Sequence, residues 1–541
     1  MAHVAPCSAF WSLSLKNCPL TVRADREGHS AAAADETRPR APHEGAISRR
    51  AELAWVGLVL FVALSLRVEL LLGRPLWVDE ALSLEMASQL PPAIWATSAR
   101  EEPHPPGYYL LLRAWVNLTG LGGAHARWLS LPLGLAGVLA TWQLGRRVGG
   151  QAVGILAAGM LALNPYQVFA SGEVRMYALL CLLGLVATAL VLTAVERRSW
   201  WLWAGYGAAV AAVGYVSYYG FLLLLGHLAW LAWSRVRPTA KELGTAAATY
   251  TLCYLPWLPH LATSLTSNPV PWRPPLSLKY VAELLATQAF GGHVWGTPGY
   301  LNSLTATPAI NSLLLALPFL VLAAEGFRNG LERRAAVLLL SSWVCPLSIV
   351  VVAGGVLGRV AAYDYHVSYL QPYLAILAGA GLVSASSRWT TEVQRGVLLV
   401  AAALLVGFQA VAIRNLMTDP VYQVYRFDLV ARILEREWRA GDVTIYFNDV
   451  AFRVLRWYRE PATPYIRVRP DPRKWSREET RVLLEKAVSS LGPGHQRVWL
   501  VLAVPFPEGS AEDLAKLLRD KGYRERGRAA FNGVTLAVFA R

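Results

Sequence analysis

"PPGYYLLLRAWVNLTG", residues 105–120, decides how this chain threads a membrane. Its apolar core is short and contains Arg113, whereas a helix crossing hydrocarbon needs about 20 predominantly apolar residues. Counted as a crossing, it would invert every loop that follows. Read as an amphipathic helix lying in the interface, it leaves the basic loops together on one side. These are "GRRVGG" (145–150), "ERRS" (196–199), "SRVRPTAK" (234–241), "RNGLERR" (328–334) and "SSRWTTEVQR" (386–395). Short loops rich in Arg and Lys stay on the cytoplasmic side, so the interfacial reading is adopted.

Composition agrees with a polytopic membrane protein. Of 541 residues, 55% are hydrophobic and only 16% charged, against about 25% charged in an ordinary soluble domain. Apolar runs lie near 53–72, 125–146, 152–170, 175–195, 199–216, 219–234, 242–262, 306–326, 335–356, 367–386 and 394–413. This predicts an α-helical fold of about eleven transmembrane helices, over 51–415. Residues 1–50 mix Ala, Pro, Arg, Glu and His without periodicity and read as a disordered cytoplasmic tail. The first span follows Arg49 and Arg50 and reads as an uncleaved anchor. The net charge of +15 is accounted for by the basic loops and does not call for nucleic acid. The five cysteines show no paired spacing, so neither a disulfide framework nor a thiolate metal site is indicated.

From 416 to 541 the pattern changes. "FDLVARILEREWRAGDVTIYFND" (427–449) reads as an amphipathic helix, a turn and a strand. "REETRVLLEKAVSSLGPGHQRVWLVLAVP" (477–505) repeats the plan, and "AEDLAKLLRDKGY" (511–523) with "GVTLAVFA" (533–540) follows it again. Helix–strand alternation predicts a small α/β domain. By parity of crossings it is extracytoplasmic, as is the 73–124 loop. Its mildly basic balance would suit anionic head groups or simply a solvated surface.

The extracytoplasmic segments hold the informative polar residues. In "GRPLWVDEALSLEMA" (73–87), Asp79 and Glu80 stand where a hydrophobic helix ends. Asp79 suits the N-cap of the helix that follows; a carboxylate there also suits a general base or metal ligand. His104 begins "HPP" in "EEPHPPGYYLLL" (101–112), where the prolines explain a rigid junction by themselves. In "NPYQVFASGEVRMYALL" (164–180), Glu173 and Arg175 interrupt apolar sequence. A mutual salt bridge would explain them, and so would an Arg that grips a phosphate. "YVSYYG" (215–220) and "YDYHVSYLQPY" (363–373) place Tyr218 and His366 at the same level, although interfacial tyrosines commonly form an aromatic belt.

Taken in order, "LWVDEALSLEMA", "HPPGYYLLLRAW", "LGRRVGG" and "LNPYQVFASGEVRMYALL" resemble the bacterial integral-membrane glycosyltransferases of the GT-C fold. The nearest group acts on lipopolysaccharide cores, with protein O-mannosyltransferases and the lipid-A aminoarabinose transferase as relatives. The resemblance is good over 50–235 and looser to 415. It implies transfer of a hexose or pentose from a polyprenyl-phosphate-linked donor to an acceptor (lipid, glycan or protein) on the outer face of the cytoplasmic membrane, with inversion. It further implies Asp79 and Glu80 as catalytic carboxylates. His104, Glu173, Arg175, Tyr177, Tyr218, Arg359 and His366 would contact donor or acceptor. A divalent metal joins the carboxylates in some such enzymes, which makes Asp79 and Glu173 the candidate ligands. Two departures stand out: Ser217 occupies a position where relatives often carry His, and "SYLQP" (368–372) lacks an Arg that many have. The alternative reading is a non-enzymatic transporter or flippase of lipid-linked sugars; a third is a scaffold whose α/β domain binds partners.

Overall fold

A computed structural model of the chain describes residues 47–100, 102–235, 237–267, 275–290, 308–418, 425–447, 449–461, 464–469, 476–503 and 509–541. The expected tail lies outside these residues up to position 46, as does much of 263–305. Helix α1 (Arg49–Gly73) leads into three short helices that fill the 73–124 loop: α2 (Val78–Ser88), α3 (Pro91–Arg100) and α4 (Gly107–Thr119). The 13 residues of α4 reach only about 20 Å at 1.5 Å per residue. That is too short to cross, and Tyr108, Tyr109 and Leu112 bury one face.

The bundle continues through α5 (Ser130–Gly149), α6 (Gln151–Ala162), α7 (Pro165–Ala170), α8 (Tyr177–Arg197), α9 (Trp200–Val216), α10 (Leu222–Trp233) and α11 (Ala240–Tyr254). Then come α12 (Leu258–Ser267), α13 (Leu278–Phe290), α14 (Pro308–Glu325), α15 (Arg333–Leu357), α16 (Gln371–Arg388) and α17 (Glu392–Thr418). Helix occupies most of the described part of every predicted span. Among the described residues, five segments are long and apolar enough to cross a membrane: Arg49–Leu72, Tyr177–Arg197, Arg333–Leu357, Asp364–Arg388 and Glu392–Thr418.

Two predicted spans are broken, each by a proline that cannot donate a helical hydrogen bond. Over 152–170 the chain stops at Ala162 and restarts at Pro165, capped by Asn164, whose Oδ1 accepts from the Tyr166 and Gln167 amides at 3.1 and 3.2 Å. Arg67 of α1, fully buried, covers the break by donating to the Ala162 carbonyl and the Ser171 hydroxyl. Over 242–262 the break falls at Pro256, between α11 and α12.

Close helix approach rests on glycine, as lipid-embedded packing favours. A Cβ on Gly381 of α16 would collide with the Leu322 carbonyl of α14, and one on Gly207 of α9 with the Ala246 carbonyl of α11. Helix α16 is the most enclosed of the long helices, while α1 and α17 expose runs of large apolar side chains. The basic loops gather at one end of the bundle. There Arg146 pairs with Glu52 at 2.8 Å, Arg147 with Glu196 at 2.5 Å and Arg198 with Glu242 at 3.2 Å. Leu331 of the 328–334 loop meets Gly149 at the same end.

The C-terminal part adds α18 (Phe427–Glu437), β1 (Val443–Phe447), α19 (Asp449–Leu455), β2 (Tyr465–Val468), α20 (Arg477–Ser489), β3 (Arg497–Ala503), α21 (Ser510–Asp520), β4 (Arg524–Phe531) and β5 (Val534–Ala540). The strand order is β2-β1-β3-β5-β4, parallel around β1 and antiparallel around β5. Alternation along β3 divides two cores, because successive side chains point to opposite faces. Val498, Leu500 and Leu502 pack with Leu484, Leu514 and Leu518. Trp499, Val501 and Ala503 belong to a core continuous with the helical bundle. The sheet therefore docks on the bundle by one face.

Candidate active site

The site is built on the turn between α1 and α2. The N-cap of α2 is Trp77, so Asp79 sits inside the first turn and is not the cap that its neighbours suggested. Adjacent helical residues do not share a face, and the acidic pair divides accordingly.

Glu80 points inward and is fully buried. Its carboxylate takes Arg127 as a fork, with Nε to Oε1 at 2.7 Å and Nη2 to Oε2 at 2.6 Å. The Val174 amide donates to Oε1 at 3.0 Å and the Trp77 amide to Oε2 at 3.4 Å. Burial raises the Glu80 pKa, but the Arg127 charge and hydrogen bonds outweigh it and hold the carboxyl below its ordinary range. Arg127 spends its other donors on the carbonyls of Arg74 (2.7 Å) and Pro75 (2.8 Å). Glu80 was expected to be catalytic; every acceptor direction it has is engaged in tying the α1–α2 turn to the 171–176 loop. Arg127 carried no local motif and was missed from sequence.

Asp79 lies on the other face, 27% exposed, with the buried Arg175 guanidinium 3.6 Å away. Arg175 also donates to the Ser83 hydroxyl at 3.3 Å, and Ser83 in turn donates to the Asp79 carbonyl at 2.8 Å. Residues 79 and 83, four apart on one helix face, thus hold the cation between them. The Arg175 Nε is buried without a hydrogen-bond partner. Burial raises the Asp79 pKa, Arg175 draws it back and Glu80 adds to the rise; the result lies above the ordinary value. The mutual Glu173–Arg175 salt bridge, one of the two readings of these residues, does not form; Arg175 pairs with Asp79. Glu173 is fully buried with both carboxyl oxygens unpartnered, and burial followed by the Glu80 charge pushes its pKa well up. Glu102 stands nearby, hydrogen-bonded by the Tyr109 hydroxyl at 2.8 Å. Its pKa is raised by burial, with the Arg175 charge opposing.

An aromatic wall adjoins this cluster. His104 and His366 lie 5.9 Å apart, and His366 stacks on Tyr219 at 4.5 Å. The His366 Nδ1 accepts from the Tyr363 amide at 3.0 Å, while Tyr365 meets Tyr177 at 5.6 Å. Tyr177 lies beneath the Arg175 guanidinium at 5.9 Å. The Tyr218 hydroxyl accepts from Trp257 at 3.1 Å, in an aromatic cluster with Tyr215 and Tyr254. Arg359 is exposed just beyond the end of α15. Ser368 is buried, with its hydroxyl donating to the Tyr365 carbonyl. The carboxylates do not fit a divalent metal as placed: a guanidinium stands beside Asp79, and among the described residues no group of three or more His, Cys, Asp or Glu could hold one.

Residues 103–262 match the model of the dolichyl-phosphate-mannose-protein mannosyltransferase family. That interval contains Glu173, Arg175, His104 and the Arg127 anchor. In three dimensions the chain is similar to ArnT from Cupriavidus metallidurans in the apo state, at 16% identity and a TM-score of 0.60, covering 90% of this chain and 98% of that one. The same protein bound to undecaprenyl phosphate aligns at 16% identity, a TM-score of 0.54 and the same coverage. The apo oligosaccharyltransferase of Archaeoglobus fulgidus aligns at 11% identity and a TM-score of 0.52, covering 88% of this chain and 73% of that one. No curated protein matches by sequence.

Proposed function

From the premise that this chain has the GT-C fold, with a segment matching the protein mannosyltransferase family, we propose that it is a glycosyltransferase using a polyprenyl-phosphate sugar. It transfers a hexose or pentose to an acceptor on the outer face of the cytoplasmic membrane, with its N-terminus cytoplasmic and its C-terminal domain extracytoplasmic. The observation that carries this reading is the half-buried carboxylate of Asp79 held against the buried Arg175. Such a pair puts a base and a phosphate-binding cation at one mouth. The binding of undecaprenyl phosphate by the structurally similar ArnT supports the donor class.

In this mechanism Asp79 accepts the proton of the acceptor hydroxyl as its oxygen attacks the anomeric carbon. The bond from that carbon to the phosphate oxygen breaks, and the electron pair leaves with the polyprenyl phosphate. Arg175 is placed to stabilise that charge, which makes protonation of the leaving group unnecessary. Attack opposite the leaving group inverts the centre. Glu80 and Arg127 fix the turn that carries Asp79. Glu173, buried beside the Asp79–Arg175 pair with its pKa raised, is the further candidate for contact with donor or acceptor. His104, Tyr177 and His366 supply aromatic surface for the sugar or lipid.

The test uses full-length protein in native membrane vesicles with radiolabelled undecaprenyl-phosphate hexoses and pentoses, comparing wild type with Asp79→Asn. Wild-type transfer lost in Asp79→Asn, with lipid binding retained, is the expected result. Translocation of donor without any transfer would replace the proposal with the transporter reading.

A further inference from the structure

Three consecutive carbonyls precede α2, and they are held by two routes. Those of Arg74 and Pro75 accept from Arg127 of the helical part. That of Leu76 accepts from the Tyr458 hydroxyl at 2.8 Å, across 382 residues of sequence from the C-terminal domain. The next residue, Trp77, stacks on Tyr425 with ring centroids 6.3 Å apart and planes within 12°. At the other end of α2, Glu85 accepts from Arg453 of α19 at 2.6 Å and faces Arg456 at 3.8 Å. Asp79 lies between these two attachments.

We propose that the C-terminal domain clamps α2 in cis, with Tyr458 and Arg453 as positioning residues for Asp79. The proposal rests on the functional reading above, since it needs Asp79 to act on the reacting groups. Its physical basis is that α2 has 11 residues, fewer than the roughly 12–15 at which an isolated helix becomes even marginally stable. Its placement must therefore come from tertiary ties. The buried Glu80–Arg127 fork sets its inner face, and the domain sets its start and its far end. A base displaced by a fraction of an ångström loses rate without losing substrate affinity. This gives the domain a role in the chemistry although it touches no reacting atom, and it explains why one sheet face is buried against the bundle rather than solvated.

The experiment compares wild type, Tyr458→Phe, Arg453→Gln, Glu85→Gln, the double variant Glu85→Gln/Arg453→Gln and Asp79→Asn. All are full length, in the same vesicles, with the undecaprenyl-phosphate sugar that wild type accepts. Tyr458→Phe removes one hydroxyl from a ring that stays packed, so the domain keeps its fold. We expect its kcat to fall on the order of tenfold to a hundredfold with the donor KM unchanged. The double variant should cost no more than either single one, because Arg453 acts through Glu85. Wild-type kcat in Tyr458→Phe, or a rise in KM at constant kcat, would overturn the clamp. Full additivity of the Glu85 and Arg453 changes would do the same. Asp79→Asn separates the two claims. If it is inactive while Tyr458→Phe is normal, only the clamp falls; if it transfers like wild type, the role of Asp79 falls and takes the clamp with it.

Discussion

Replacing Glu80 by Gln tests whether the acidic pair has been divided correctly between structure and chemistry. The carboxylate and Arg127 both have 0% side-chain exposure and meet at 2.6 Å. A Gln keeps one acceptor oxygen, but its amide turns a donor toward Arg127, Val174 or Trp77, all of which are donors here. The buried guanidinium is left without its counter-charge. Breaking a buried pair in this way costs about 3–5 kcal/mol. For a chain of this size that lowers the thermal transition on the order of 3–4 °C. Tryptophan fluorescence during heating of the detergent-purified protein would measure it, with Asp79→Asn as the comparison. Asp79 is partly exposed and its cation is 3.6 Å away, so its loss should change stability by less than about 1 kcal/mol. The pH dependence has a definite sign. The folded-state pKa of Glu80 lies below its ordinary 4.5, so its contribution is complete above that value and is lost as pH falls through the lower folded one. The gap between wild type and Glu80→Gln should therefore narrow in acid. An unchanged transition in Glu80→Gln, together with lost transfer, would refute the division and return Glu80 to the chemistry.

Arg175→Met removes the charge that draws the Asp79 pKa down, leaving burial and Glu80, which both raise it. The acid limb of the rate–pH profile should move to higher pH, and a limb that stays in place would mean Asp79 is not the titrating base. Gly381→Ala places a Cβ against the Leu322 carbonyl and the Gly326 amide of the adjoining helix segment. We expect a loss of at least about 1–3 kcal/mol from overpacking, read as a lower yield of monodisperse protein; a normal yield and transition would show that the helices can separate there.

What sequence alone determined follows from signals that are local. Apolar runs placed helix in each span because burying apolar side chains in lipid or core is a property of the run itself. Alternation of amphipathic helix and apolar strand placed the C-terminal sheet in the same way. The 105–120 stretch reads as an interfacial helix because its length and Arg113 are visible locally, and it forms the 13-residue helix α4. Motif order brought Asp79, Glu173, Arg175, His104, Tyr177 and His366 to notice before any contact was known.

Tertiary structure decided the rest. Asp79 and Glu80 are neighbours in sequence, yet the rotation of about 100° per helical residue turned one to Arg175 and one to Arg127, 47 residues away. In the same way, only the packing of the Asp364–Leu370 turn shows that the Tyr219 ring stacks on His366. No pattern near Tyr458 marks it as a partner of Leu76, because a hydrogen bond spanning 382 residues depends on how two separately encoded parts dock. Sequence fixes which elements form and which side chains they carry. The identity of each partner waits on the juxtaposition of elements, and here that juxtaposition separates the residue that faces the reaction from those that hold it in place.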